Sequence, residues 1–162
     1  MIFKASLDRT AQILTIGIAV FFMVLYFVTS VYANNGNDKY SLIIMGGILL
    51  LIYGITYALH PTSYEVKKDE VVINRPLQKI SIQRSQISHF VKIEDGSLKW
   101  AIRTFGVGGL FGYFGQFWNK EFGSMTWYAS RRDRAIMIHT IDNKKIVITP
   151  DETDIFIQEM QT

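Results

Sequence analysis

The chain has 162 residues, 49% of them hydrophobic, with 17 Lys and Arg against 14 Asp and Glu and no cysteine. That length suits about one domain. The lack of cysteine agrees with a reducing compartment, and a net charge of +3 does not by itself point to nucleic acid.

The hydrophobic residues are unevenly spread. Neither Thr10–Asn37 nor Tyr40–Leu59 contains Asp, Glu, Lys or Arg. After a flank at 1–10, the run 11–33 spans roughly 34 Å at about 1.5 Å per residue, enough to cross a hydrocarbon core of about 30 Å. The run 40–59 reaches about 30 Å on the same arithmetic. Two transmembrane helices are therefore expected, joined as a hairpin by a polar, turn-prone loop at 34–39. Tyr26, Tyr32, Tyr40, Tyr53 and Tyr57 lie mostly toward their ends, where amphipathic rings favour the interface. The remaining hundred or so residues are too few to cover both helices in water. The first run is also longer than the roughly 7–15 apolar residues of a signal peptide.

Lys4 and Arg9 precede the first run, and Lys67, Lys68 and Arg75 follow the second. The loop has only Lys39, beside Asp38. This bias places both termini in the cytoplasm, with the chain integral to the cytoplasmic (inner) membrane.

From residue 62 the pattern becomes strand-like. Tyr64–Val66 and Val71–Asn74 flank Lys68-Asp69-Glu70 as a hairpin. Leu77, Ile80 and Ile82 continue the pattern, and Ile87, Phe90 and Ile93 lead to a turn at Glu94-Asp95-Gly96. Leu98, Trp100 and Ile102 alternate with Lys99, Ala101 and Arg103, which predicts a half-buried strand. Ala135–Thr140 and Lys145–Thr149 bracket Asp142-Asn143 as a second hairpin. After Pro150, Asp151 is placed to cap a helix whose apolar stripe is Thr153, Phe156, Ile157 and Met160. About seven strands followed by one amphipathic helix predict a mainly β, pleckstrin-homology-like barrel over 62–162, with the helix across one open end.

Gly106-Val-Gly-Gly-Leu-Phe-Gly-Tyr-Phe-Gly115, Tyr128-Ala129-Ser130, and Lys145-Ile-Val-Ile-Thr-Pro150-Asp151 with Phe156 resemble a bacterial PH-domain family. Its members often carry N-terminal transmembrane helices. The resemblance covers roughly 62–160 and implies a PH-like fold without enzymatic activity. It brings no catalytic, cofactor or ligand-binding residues to this chain, and fold analogy alone does not license phosphoinositide binding.

Two segments stand out as candidate surfaces. Residues 104–119 carry no charge, five glycines (106, 108, 109, 112, 115) and six aromatic residues. The glycines match neither a dinucleotide fingerprint nor a P-loop. In a strand, Phe111, Tyr113 and Phe117 share one side, and Phe114 and Trp118 the other. A small barrel has one interior, so Leu110, Phe111, Phe114 and Trp118 are the candidate interaction surface. Packing of every ring in the core, with glycines serving bulges, and a loop resting on the bilayer are the alternatives.

The second candidate is basic. Between Arg75 and Arg134 ten Lys/Arg meet four acids. Arg131, Arg132 and Arg134, with Lys67 and Lys68 near the second span, are candidate contacts for anionic lipid head groups; an ordinary solvated hairpin is the alternative. Catalysis finds no pattern: His60, His89 and His139 are scattered without metal-ligand spacing. Ser85, His89 and Asp95 lack a nucleophile turn. The expected chain is thus a non-enzymatic, membrane-anchored module without cofactor or nucleic-acid ligand, which binds or regulates a protein partner at the cytoplasmic face. Contact with anionic inner-leaflet lipid, an accessory role in a transport assembly, and self-association through Gly46-Gly47 and Gly54 stand beside it.

Overall fold

The computed structural model describes residues 1–33 and 39–161. The chain opens with a strand, β1 (Ile2–Lys4), and then forms two helices, α1 (Arg9–Ala33) and α2 (Lys39–Leu59). Of the loop expected at 34–39, residues 34–38 lie outside the described residues, and Lys39 opens α2. Both helices are long and apolar enough to cross a membrane, and only 6% of each apolar window is buried. They are therefore not core helices of the domain that follows.

Residues 1–10 are not merely a flank. β1 pairs antiparallel with β2 (Ser63–Val66), Phe3 opposite Tyr64. The backbone beyond β1 stays tied to the domain, with Ala5 N–H donating to Thr62 O and Asp151 N–H to Lys4 O. The helical hairpin is thus an excursion between two neighbouring strands, and its two ends open on the same side.

β1 to β4 form one antiparallel sheet in chain order, with β3 at Glu70–Asn74 and β4 at Ile80–Gln83. The second sheet contains β5 (Ile87–Lys92), β6 (Ile102–Gly109), β7 (Gly112–Asn119), β8 (Gly123–Ala129), β9 (Ile136–Thr140) and β10 (Lys145–Ile148). Its order is β5-β9-β10-β8-β7-β6, and β10 runs parallel to β8. The arrangement is PH-like, but among the described residues no ladder joins the two sheets into the closed barrel that the sequence suggests. Tyr64 links them instead: its fully buried hydroxyl donates to Tyr128 O at 2.6 Å and accepts from Thr149 N–H at 3.2 Å. Burial pushes its pKa up to about 12, so it stays a neutral donor.

The final helix, α3 (Thr153–Gln161), forms where expected. Thr153, Phe156 and Met160 are buried, and Ile157 packs at the edge of the same core as Phe3, Tyr64 and Ile73. Asp151 has a different role from the expected cap. Its carboxylate accepts from Ser6 N–H (3.1 Å), Ser6 Oγ (2.5 Å) and Arg131 (3.3 Å), holding the start of the chain against the domain.

The strand expected around Leu98–Ile102 begins only at Ile102. Ser97, Lys99 and Ala101 donate to Glu94, Gly96 and Leu98 in successive three-residue turns. A three-residue step buries Leu98 with Ala101 and turns Trp100 outward, which overrides the apparent alternation.

Candidate interaction surface

β6 and β7 fold back on each other at Leu110-Phe111, with Phe111 at φ 56°. This tip grips the helical hairpin. Phe111 N–H donates to Thr15 Oγ1 at 2.9 Å. Its ring meets those of Tyr53, Tyr57 and His60 at 4.8, 5.3 and 5.7 Å. Gly109 sits at φ 129°, a conformation that favours glycine, and a Cβ there would displace the Leu14 side chain. On the neighbouring side Asp8 caps α1 by accepting from Ala11 N–H at 2.7 Å, and it also receives Tyr113 Oη–H at 3.3 Å and Arg132 N–H at 3.2 Å. Burial, reinforced by Asp8, pushes the Tyr113 pKa up to about 12, so this donor also stays protonated.

These contacts redistribute the expected surface. Leu110 and Phe111 are half-buried, and Phe111 belongs to the joint between domain and helices. Phe114, expected outside, is only 5% exposed; Val107 and Tyr128 flank it across the ladder, so both faces of β7 are covered there. On the opposite face Tyr113 and Phe117 are buried, with Phe117 stacked on Trp127 at 4.2 Å. Only Trp118, 46% exposed, remains open from the original four.

The open apolar surface lies mainly on β6, the edge strand. Ile102 sits opposite Trp118, and Phe105 opposite Gln116, so Ile102, Phe105 and Trp118 share a face. They are 63%, 76% and 46% exposed, and Trp100 at the entrance to β6 is 81% exposed. Trp100 and Ile102 escape notice in the sequence because their alternation with Ala101 and Arg103 mimics a half-buried strand. Phe105 lies inside the flagged glycine-aromatic run, but its orientation depends on a register shift between Arg103 and Phe105.

The basic candidates divide into two places. Lys67 and Lys68 stand at the far end of β2 from α2, and Lys67 is paired with Glu70 at 2.7 Å. Arg131, Arg132 and Arg134 lie beside the start of α1. Arg131 binds both Asp133 oxygens at 2.6 and 2.9 Å, and these hydrogen bonds hold the Asp133 carboxyl below its usual range. Arg132 lies over the Tyr113 ring at 4.8 Å. Arg134 reaches the Asp151 carbonyl at 3.3 Å.

His89 and His139 stack across β5 and β9 at 4.2 Å. Among the described residues no cluster of three or more His, Cys, Asp or Glu is placed to hold a metal ion. Burial, then the nearby His89 and Lys145, lowers the His139 pKa. An unfolded histidine titrates near 6.5, so just below that pH the unfolded chain binds more protons than the folded one. Stability is expected to fall as pH drops from about 6.5 toward the folded value. His139→Asn should flatten that limb in denaturation midpoints followed from about pH 8 to pH 5; an unchanged slope would remove His139 as its source.

Residues 62–162 match the family model described as Bacterial PH domain. The chain belongs to the bacterial PH domain family. No curated protein and no solved structure matches it. In this bacterial PH domain the family match starts at Thr62, so β1 and both helices precede it, although β1 completes the first sheet. The tip that grips the helices and the exposed β6 face both fall inside the matched region.

Proposed function

We propose that the chain is a non-enzymatic, membrane-anchored PH-like module that binds or regulates a protein partner at the cytoplasmic face. The bare apolar surface of α1 and α2 supports the anchor. The pairing of β1 with β2 brings both helix ends back to one side, and the Lys/Arg bias of the flanks makes that side cytoplasmic.

The observation that carries the partner reading is the exposed face of Trp100, Ile102, Phe105 and Trp118. β6 and β7 lead away from the tip held at Thr15 and Tyr53. At about 3.3 Å per residue, Phe105 stands about 13 Å along β6 from Gly109 and Ile102 about 23 Å. Arg103, on the same strand, favours a protein over the hydrocarbon as the occupant. Arg103 and Lys120 are the only charges between 102 and 120, so an apolar partner surface with an acidic rim fits best.

A photoreactive residue replacing Phe105 in cells tests this reading. The expected product is a reproducible adduct with one foreign protein, lost when Trp118→Ala is added. Lipid adducts alone would transfer the surface to the bilayer, and purely internal adducts would refute a binding role.

A further inference from the structure

A cavity of about 520 Å³ opens beside the first turn of α1, walled by Leu7, Arg9, Lys99 and Arg132 among others. Three separate pieces of chain build it: the entry to α1, the turns at 94–101, and the β8–β9 connection. Its lining includes four cations, Arg9, Lys99, Arg131 and Arg132, and two carboxylates, Asp8 and Asp133.

Both carboxylates are already engaged. Asp133 is held by Arg131 through both oxygens, and Asp8 by Ala11 N–H, Tyr113 Oη–H and Arg132 N–H. Among the described residues no carboxylate forms an ion pair with Arg9, Lys99 or Arg132. Arg132 is also fixed in place: its guanidinium donates to Lys99 O at 3.0 Å and lies over Tyr113. Arg9, Lys99 and Arg132 thus line one cavity without an ion-pair partner, Arg132 held in place and the Lys99 amine over the Trp100 ring at 5.9 Å.

We propose that this cavity binds the phosphate of an anionic phospholipid, with Arg9, Lys99 and Arg132 as its ligands. The proposal rests on the membrane-anchored reading above. If α1 enters the hydrocarbon near Ala11, Arg9 and Thr10 stand at head-group depth. A lipid phosphate then arrives by lateral diffusion, and the cations hold it by charge-assisted hydrogen bonds. Bound there, the lipid adds a contact between the domain and the bilayer at the root of α1. This role is separate from partner capture at β6. A soluble phosphate compound shares the chemistry, so the test must distinguish the two sources.

The test uses the full-length protein in phosphatidylcholine nanodiscs containing a minority of phosphatidylglycerol. Native mass spectrometry then reads the phosphatidylglycerol retained by the released protein. Arg9→Gln with Lys99→Gln leaves the packed Arg132 untouched, which guards against misfolding. At about fivefold in affinity per cation, this pair should lose roughly 25-fold. Lys67→Gln with Lys68→Gln, at the far end of β2, should retain the wild-type amount.

Equal retention by Arg9→Gln/Lys99→Gln and wild type would overturn the site. In nanodiscs of phosphatidylcholine alone, inorganic phosphate is titrated and followed by phosphorus NMR broadening. Broadening that disappears in Arg9→Gln/Lys99→Gln would overturn the lipid source in favour of a soluble phosphate; no broadening is the expected result. The Phe105 adduct reports on the partner surface independently, so either reading can fail without the other.

Discussion

Gly115→Ala is expected to destabilise the domain by about 3 kcal/mol or more, because strain and a backbone collision act together. Gly115 and Gly106 face each other across β6 and β7, at φ 121° and 107°. L side chains pay about 1–3 kcal/mol to enter that region. A Cβ on Gly115 would overlap the Phe105 carbonyl oxygen, and one on Gly106 would overlap that of Phe114. Neither obstacle is a flexible side-chain end, so the ladder itself must open. The damage reaches both ends of the hairpin, which grips α1 and α2 at its tip and displays Phe105 on its face. Denaturant unfolding of the full chain in detergent micelles, followed by tryptophan fluorescence, measures the loss. A cost under about 0.5 kcal/mol, ordinary for a surface substitution, would refute the close approach of the two strands.

The same hairpin shows how far sequence reading reaches. The absence of charge from 104–119 and its glycine-aromatic composition mark the segment as unusual, since composition is a local property. That Gly106 and Gly115 oppose one another is a matter of register, which a run of glycines does not specify. One closed barrel has one interior, and the interaction-surface reading of the segment therefore turns Phe114 outward. The actual sheets are open, and the Phe114 side of β7 is covered as well as the Tyr113 side. Elements with strong local period were legible: both apolar helices, the β2–β3 and β9–β10 hairpins, and the stripe of α3. β1 was not, because three residues carry no readable period and its partner Tyr64 lies 61 positions away from Phe3. The basic cavity depends on the same kind of distant meeting: Arg9, Lys99 and Arg132 look like unrelated charges until the turns at 94–101 and the β8–β9 connection bring them together.

Phe156→Ala is expected to cost about 3–5 kcal/mol, the usual range for removing a buried aromatic ring. Phe156 is fully buried in α3 and meets Phe3 of β1 edge-on, with centroids 5.1 Å apart at 67°. Phe3 sits only six residues before α1 begins. The ring pair therefore fastens the last helix of the domain to the strand from which the helical hairpin departs. A double-mutant cycle with Phe3→Ala separates this role from general core loss. Direct contact should appear as about 0.5–1.5 kcal/mol of coupling, and additive losses would show that the two rings act independently. Hydrogen exchange supplies a local readout. If α3 holds the root of α1, Phe156→Ala should release the Phe3 and Ala5 amides, which face β2, more than those of β7, which lies in the other sheet. Uniform release would mean that β1 and α3 are only parts of one cooperative core, leaving the β6–β7 tip and the Asp8 and Asp151 hydrogen bonds to hold the helical hairpin against the domain.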